Sequence, residues 1–268
     1  MFDTAEVYGI GKSELLLGRF LRQSSSFNKA QIATKFAPLP LPGRLNAKAV
    51  VSACSDSLDR LGSRNCLLYQ LHWPSLLLDE AYLDGLALCF EKGYCAGVGV
   101  SNYSPSQLRK AHKMLAARGI PLATQQIQYS LLARSPETNG LLQTARELNI
   151  TTLAYSPLAQ GILTGKFTET SLPKGPRGQI AKRVLPKVKP LLDEMRRISA
   201  KEGKSLSQIA LNWCIQQGVV PIPGARSVSQ ASDNCGAMGW SLSLEDIQRL
   251  NDLSKASKVD MTVPLQNK

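Results

Sequence analysis

The feature that most restricts this chain is the recurrence of short apolar runs rich in β-branched residues, each separated from the next by helical patterning. The runs occupy residues 31–37 (QIATKFA), 66–73 (CLLYQLHW), 96–102 (AGVGVSN), 123–130 (ATQQIQYS), 151–158 (TTLAYSPL) and 219–225 (VVPIPGA). Runs this brief and nearly continuous in hydrophobicity are what strands covered on both faces require. Between them Val50, Val51, Cys54, Leu58 and Leu61 repeat at helical spacing. Ser104-Pro105 offers an N-cap followed by a proline at the first helical position, and Gly119 is placed to close the same helix. Further helices are expected over 79–92, 138–148, 188–202 and 205–217. Strand followed by helix, again and again, implies right-handed parallel crossovers, hence a closed barrel or an open doubly wound sheet.

Counting chooses between them. Phe2-Asp3 reads as the tail of a further strand, which makes seven, and a closed barrel needs eight. The expectation is an α/β chain of (β/α)8 TIM-barrel class forming a single domain over 1–268, without the first β/α unit and most of the second strand. A barrel with such a gap would expose edges prone to aggregation. An open sheet binding a dinucleotide would carry a glycine-rich turn after an early strand. The candidate GVGVSN lies mid-chain and has Asn102 where the third glycine belongs, so it fails. GIGKS at 9–13 mimics the end of a P-loop, but Glu6 stands in the place of its first glycine.

Composition narrows function by exclusion. Hydrophobic residues make up 43% and charged residues 19% of the 268, ordinary values for a globular chain. No apolar stretch approaches the length of a membrane span. The six cysteines form no C-x-x-C pair and mostly sit in apolar patterns, so buried thiols are expected. With only His72 and His112 besides, no zinc site assembles by spacing. The two glycosylation sequons, at Asn102 and Asn149, read as chance. The net charge of +12 is uneven: residues 166–204 hold eleven Lys/Arg against four Asp/Glu. Without interleaved aromatic residues this stretch reads as a solvated loop rather than a nucleic-acid surface, and attraction of a phosphorylated small molecule is an intermediate reading.

In a parallel barrel, chemistry comes from the C-terminal ends of several strands. There stand Asp3 and Tyr8, Lys35, His72, Ser101-Asn102, Gln126 and Tyr155-Ser156. Each alone has an ordinary structural explanation, but a lysine and a histidine within apolar strands need partners, and all of them fall at strand ends of one array. FDTAEVYG, ATKF, YQLHWP, GVSNYS, AYSPLAQGILTGK and PIPGAR together resemble the aldo-keto reductase superfamily from residue 2 to about 253, in wording similar to plant plastid members.

That resemblance implies a β/α barrel that binds NADP(H) in an extended pose and reduces aldehydes or ketones to alcohols, with a small carbonyl compound as its partner and the chloroplast as its compartment. It implies catalytic roles for Tyr8 as general acid, for Lys35 and Asp3 as its tuners, and for His72 in orienting the carbonyl. Ser101, Asn102 and Gln126 would hold the nicotinamide carboxamide and Tyr155 would stack on the ring. Ser156, Leu158 and Gln160 begin the loop over the pyrophosphate. Arg226 would meet the 2′-phosphate with Gln230 and Asn234 nearby, although Gln230 departs from the basic residue many members carry. The same resemblance admits a cofactor-binding regulatory subunit of the channel β-subunit type, or a catalytically impaired isoform. Physically, an ammonium about 4 Å from a phenol favours the phenolate by about 4 kcal/mol at an effective dielectric of about 20. Lys35 is therefore expected to lower the pKa of Tyr8 and so ease its proton transfer.

Overall fold

In the computed structural model, which describes residues 1–24, 29–75, 77–168 and 170–262, the chain opens on a two-residue strand, β1 (Phe2–Asp3). It lies parallel to β2 (Ile32–Phe36), with Phe2 opposite Ile32 and Asp3 opposite Ala33. Helix α1 (Lys12–Arg22) joins them. The pattern continues through α2 (Ala47–Leu61), β3 (Cys66–Leu71), α3 (Asp79–Glu91), β4 (Cys95–Ser101), α4 (Pro105–Ala116) and β5 (Leu122–Gln128). The short helices α5 (Ser135–Thr138) and α6 (Leu141–Glu147) come next, then β6 (Thr151–Tyr155) and a 3-10 turn over Ala159–Thr164. Last are α7 (Pro176–Glu202), α8 (Leu206–Gln216), β7 (Val220–Pro221), α9 (Val228–Cys235) and α10 (Leu244–Ala256). No helix of the described residues is long and apolar enough to cross a membrane.

The chain divides into two compact units, Met1–Gln126 with Leu141–Thr151, and Ile127–Gly140 with Thr152–Lys268. In the first, β1 to β5 lie in chain order and each pair is parallel. In the second, β6 and β7 are parallel, with Leu153 opposite Val220.

The first unit is held by contacts that only small or paired residues permit. The Glu14 carboxylate is fully buried, accepting from Thr34 Oγ1 at 2.5 Å and from Arg60 Nε at 2.7 Å, so one acid ties α1 to β2 and α2. Gly18 lets α1 approach the end of α2 so closely that a Cβ there would stand 2.3 Å from the Leu61 carbonyl oxygen. Gly85 does the same for α3, where a Cβ would meet Val50 Cβ at 2.5 Å. In the second unit Trp213 is fully buried, stacked on Tyr129 at 5.2 Å and donating to Asn251 Oδ1 at 3.0 Å.

Several expectations change. The basic stretch is a helix from residue 176, not a solvated loop; of it, only residue 169 lies outside the described residues. Pro186 and Pro190 remove two helical N–H donors, yet Ala181, Val184, Leu185, Val188, Leu191, Leu192, Met195 and Ile198 form a continuous buried stripe that holds the helix through them. Helix α4 ends at Ala116, and Gly119 closes it as expected: the Gly119 N–H donates to the Ala116 carbonyl at 2.9 Å and the Ile120 N–H to the Leu115 carbonyl at 3.0 Å. Gly119 turns the chain there at φ +70. The last strand contracts to two residues because Pro221 and Pro223 cannot donate to a ladder. Five cysteines are buried and Cys235 is exposed.

Gly18→Ala tests the close approach. Helix propensity alone would stabilise α1 by about 1 kcal/mol, whereas overpacking against a backbone carbonyl costs about 1–3 kcal/mol. A net loss of stability in urea denaturation is expected, and a gain would show that α1 stands off from α2.

Candidate active site

Each strand of the first unit delivers its polar residue to one cluster. Lys35, fourth of the five residues of β2, has no exposed surface. Its Nζ donates to Asp3 Oδ1 at 2.5 Å and to the Thr4 carbonyl at 2.7 Å. Asp3 Oδ2 accepts from Gln126 Nε2 at 2.9 Å and from Gln70 Nε2 at 3.5 Å, and Gln70 Oε1 in turn accepts from Thr124 Oγ1 at 3.2 Å. The Asp3 carboxylate is thus braced from β3 and β5 while it neutralises a lysine on β2.

Tyr8 reaches the cluster from the tight turn after β1. Its N–H donates to the Ala5 carbonyl at 3.0 Å, and Gly9, Ile10 and Gly11 follow at φ 60°, 55° and 80°, a left-handed run eased by the two glycines before α1 begins. Its ring meets His72 edge-on at 5.4 Å between centroids, with Oη 3.4 Å from His72 Nε2. Lys35 Nζ lies 5.1 Å from the centre of the Tyr8 ring. His72 follows β3 directly. Asn102 Nδ2 donates to the His72 carbonyl at 3.2 Å and to Ser101 Oγ at 3.0 Å, with Asn102 itself at φ 61°.

The electrostatics correct one expectation. Burial first, and then the Asp3 carboxylate, push the Tyr8 phenol up to about 12 instead of down. The expected acidification treated the ammonium as a lone charge, but Lys35 is paired at 2.5 Å with Asp3, and the phenol faces a nearly neutral pair. Burial also pulls Lys35 down, with Asp3 opposing the fall. Burial, and then the Lys35 charge, pull His72 down to about 4, so its imidazole is neutral at physiological pH. His72 Nδ1 is buried without a partner among the described residues.

Seven of the sequence-derived residues therefore gather in the first unit: Asp3, Tyr8, Lys35, His72, Ser101, Asn102 and Gln126. The other seven belong to the second. Tyr155 ends β6, and Ser156, Ala159, Gln160 and Gly161 follow it at φ 51°, 47°, 56° and 97°. Positive φ at three non-glycine residues so close together is costly and marks a backbone shaped for a purpose. Leu158 precedes the 3-10 turn, its carbonyl accepting from the N–H groups of Gly161 and Leu163. Arg226 is exposed, and its N–H donates to Gln230 Oε1 at 2.8 Å, which occupies the Gln230 side chain. Asn234 stands near the end of α9.

Gln70 was not singled out in sequence, although the period of two that puts it on the same strand face as His72 carried the signal. Gln126 was, but for a different contact from the one it makes with Asp3. The Glu6 carboxylate was also missed: it accepts from the Ala37 N–H at 2.7 Å and pairs with Arg44, tying the turn that carries Tyr8 to the end of β2.

Comparison with known proteins follows this geometry. The model of the Aldo/keto reductase family matches residues 1–255. Chloroplastic pyridoxal reductase of Arabidopsis thaliana is 43% identical over 273 residues, covering 97% of this chain and 74% of that protein. Among solved structures, the glycerol dehydrogenase of Gluconobacter oxydans superposes with a TM-score of 0.83 at 29% identity, over 98% of this chain and 83% of its own. An aldo-keto reductase of Klebsiella pneumoniae, solved with NADPH, gives a TM-score of 0.73 at 25% identity, over 94% and 78%. The fold is the β/α-barrel class that the strand and helix alternation led us to expect.

The depressed His72 value sets a pH dependence. A base whose folded value falls from 6.5 to about 4 contributes stability that is whole above pH 6.5 and drains away as pH drops towards about 4, amounting to at most about 3 kcal/mol. Urea midpoints measured from pH 7.5 to 4.5 should decline, and His72→Gln should flatten the decline. An imidazole that titrates by NMR near 6.5 would contradict the burial on which this rests.

Proposed function

Because the chain belongs to the aldo/keto reductase family, we propose that it is an NADP(H)-dependent oxidoreductase that reduces an aldehyde or ketone to the alcohol, with Tyr8 as general acid. The observation that carries the reading is the convergence of Tyr8, Lys35, Asp3 and His72, two of them from strands and two from the loops that follow strands.

The donor set suits the cofactor. Ser101, Asn102 and Gln126 offer the hydroxyl and amide groups that a carboxamide needs. Ser101, Asn102 and Gln126 would hold the nicotinamide, Tyr155 would cover its ring, Ser156, Leu158 and Gln160 would follow the pyrophosphate, and Arg226, with Gln230 and Asn234, would take the adenosine end. When bound, this cofactor supplies the hydride.

The residues of the chain do the rest. A carbonyl oxygen gaining negative charge meets two uncharged donors, the half-exposed Tyr8 hydroxyl and His72 Nε2 in its N–H tautomer. Although the phenol is pushed up to about 12, an alkoxide is a stronger base than a phenolate, so the proton moves downhill from Tyr8 Oη to substrate oxygen. The phenolate left behind faces the Lys35–Asp3 pair, which Gln70 and Gln126 hold in place, until solvent restores the proton.

The Arabidopsis relative suggests pyridoxal as the first aldehyde to assay and the plastid as the compartment. NADPH consumption with pyridoxal or an aromatic aldehyde should fall by roughly 10²–10⁴ in Tyr8→Phe, while NADPH binding, followed by nicotinamide fluorescence, stays within a factor of a few. Equal turnover by the two proteins would remove Tyr8 from the reaction.

A further inference from the structure

Within the second unit lies a cavity of about 380 Å³ that meets the residues assigned to the cofactor only at Gln160. On one side it is lined by Ile180, Arg183, Val184 and Lys187, the i, i+3, i+4, i+7 stripe of one face of α7. Lys258 and Val259, just past α10, line it on the other.

The charge at this cavity is unbalanced. Along the C-terminal half of α7 the cations are matched: Lys189 and Arg196 with Asp193, Arg197 with Glu194 and Asp246, and Lys201 with Asp246. Arg183, Lys187 and Lys258 have no carboxylate partner among the described residues. The acid at the rim, Asp260, accepts from Ser135 Oγ and from Thr262 N at 2.9 Å and Oγ1 at 2.6 Å, and its carboxylate leaves the lining with three cations against one anion. Three unpaired cations from two elements thus converge beside the apolar side chains of Ile180, Val184 and Val259.

The segment bearing Lys258 is fixed in place. Lys258 is held at φ 51°, a left-handed conformation strained for a lysine, and the chain beyond it is pinned by Met261 N donating to the Leu132 carbonyl at 2.7 Å.

We propose that this cavity binds a small organic anion, a phosphate or carboxylate carrying an apolar body, with Arg183, Lys187 and Lys258 on the charged group and Ile180, Val184 and Val259 against the body. Phosphate and carboxylate share the chemistry recognised, and a planar guanidinium accepts either in bidentate fashion. The site belongs to the second unit alone and does not depend on Tyr8 chemistry.

The test is isothermal titration of the intact chain with phenyl phosphate and, separately, with benzoate, each with and without saturating NADPH. Saturable binding of at least one probe, unchanged by NADPH, is expected, and the stronger of the two identifies the head group. Inorganic phosphate should bind more weakly than phenyl phosphate. Arg183→Glu with Lys187→Glu, and independently Lys258→Glu, should weaken binding by roughly tenfold or more, while Lys182→Glu, a neighbour on α7 outside the cavity lining, should not. Failure of both probes to bind, loss of binding when NADPH is present, or undiminished binding by both charge-reversed proteins with native melting curves would overturn the proposal. Because the readout is heat of binding, its outcome is separate from whether the chain turns over a carbonyl.

Discussion

A lysine with no solvent exposure sits on β2, and the first unit is arranged around keeping it charged. Removing an ammonium from water costs several kcal/mol even after relaxation, and a partner offsets this only if geometry and supplementary hydrogen bonds are good. Asp3 and the Thr4 carbonyl provide both. That demand explains why a strand as short as β1 is nonetheless registered against β2: the ion pair fastens it where two ladder residues could not. The braces extend outward, through Gln126 from β5 and Gln70 from β3, so that four strands converge on one carboxylate. The geometry of the candidate site is inseparable from the stability of the sheet that carries it.

The same pairing decides the character of Tyr8. A solitary ammonium near a phenol would make it a stronger acid, but an ammonium already neutralised leaves burial as the dominant influence. The site consequently holds two uncharged hydrogen-bond donors side by side, a phenol and a neutral imidazole, in surroundings where neither ionises near neutrality. In the proposed reaction such a pair would meet a developing negative charge with both protons still in place.

Legibility in the sequence followed burial. The strands and helices α2, α3, α4 and α8 declared themselves because their inward faces are apolar at the proper period, and two of the starts carry capping boxes, Ser104 with Gln107 and Ser205 with Gln208. Helices α1, α9 and α10 were silent for the opposite reason. The buried face of α1 is Glu14, Gly18 and Leu21, that of α10 is Asp246, Leu250 and Ser254, and α9 buries nothing. Helix α7 was half hidden because prolines and lysines on its exposed face masked the stripe beneath them. The site residues were visible as polar exceptions in apolar strands. Their hydrogen-bond assignments were not, since whether the Gln126 amide faces a cofactor or Asp3 depends on which neighbouring strand brings a carboxylate within reach.

The distribution of thiols has a practical side. Cys54, Cys66, Cys89, Cys95 and Cys214 lie inside the packing, and Cys235 alone is open to solvent, at the last position of α9. A bulky alkylating reagent applied to the folded protein therefore has one address, beside Asn234 and a few residues beyond Arg226 and Gln230. A fluorophore or spin label attached there would watch the exposed edge of the second unit without any engineering of the chain.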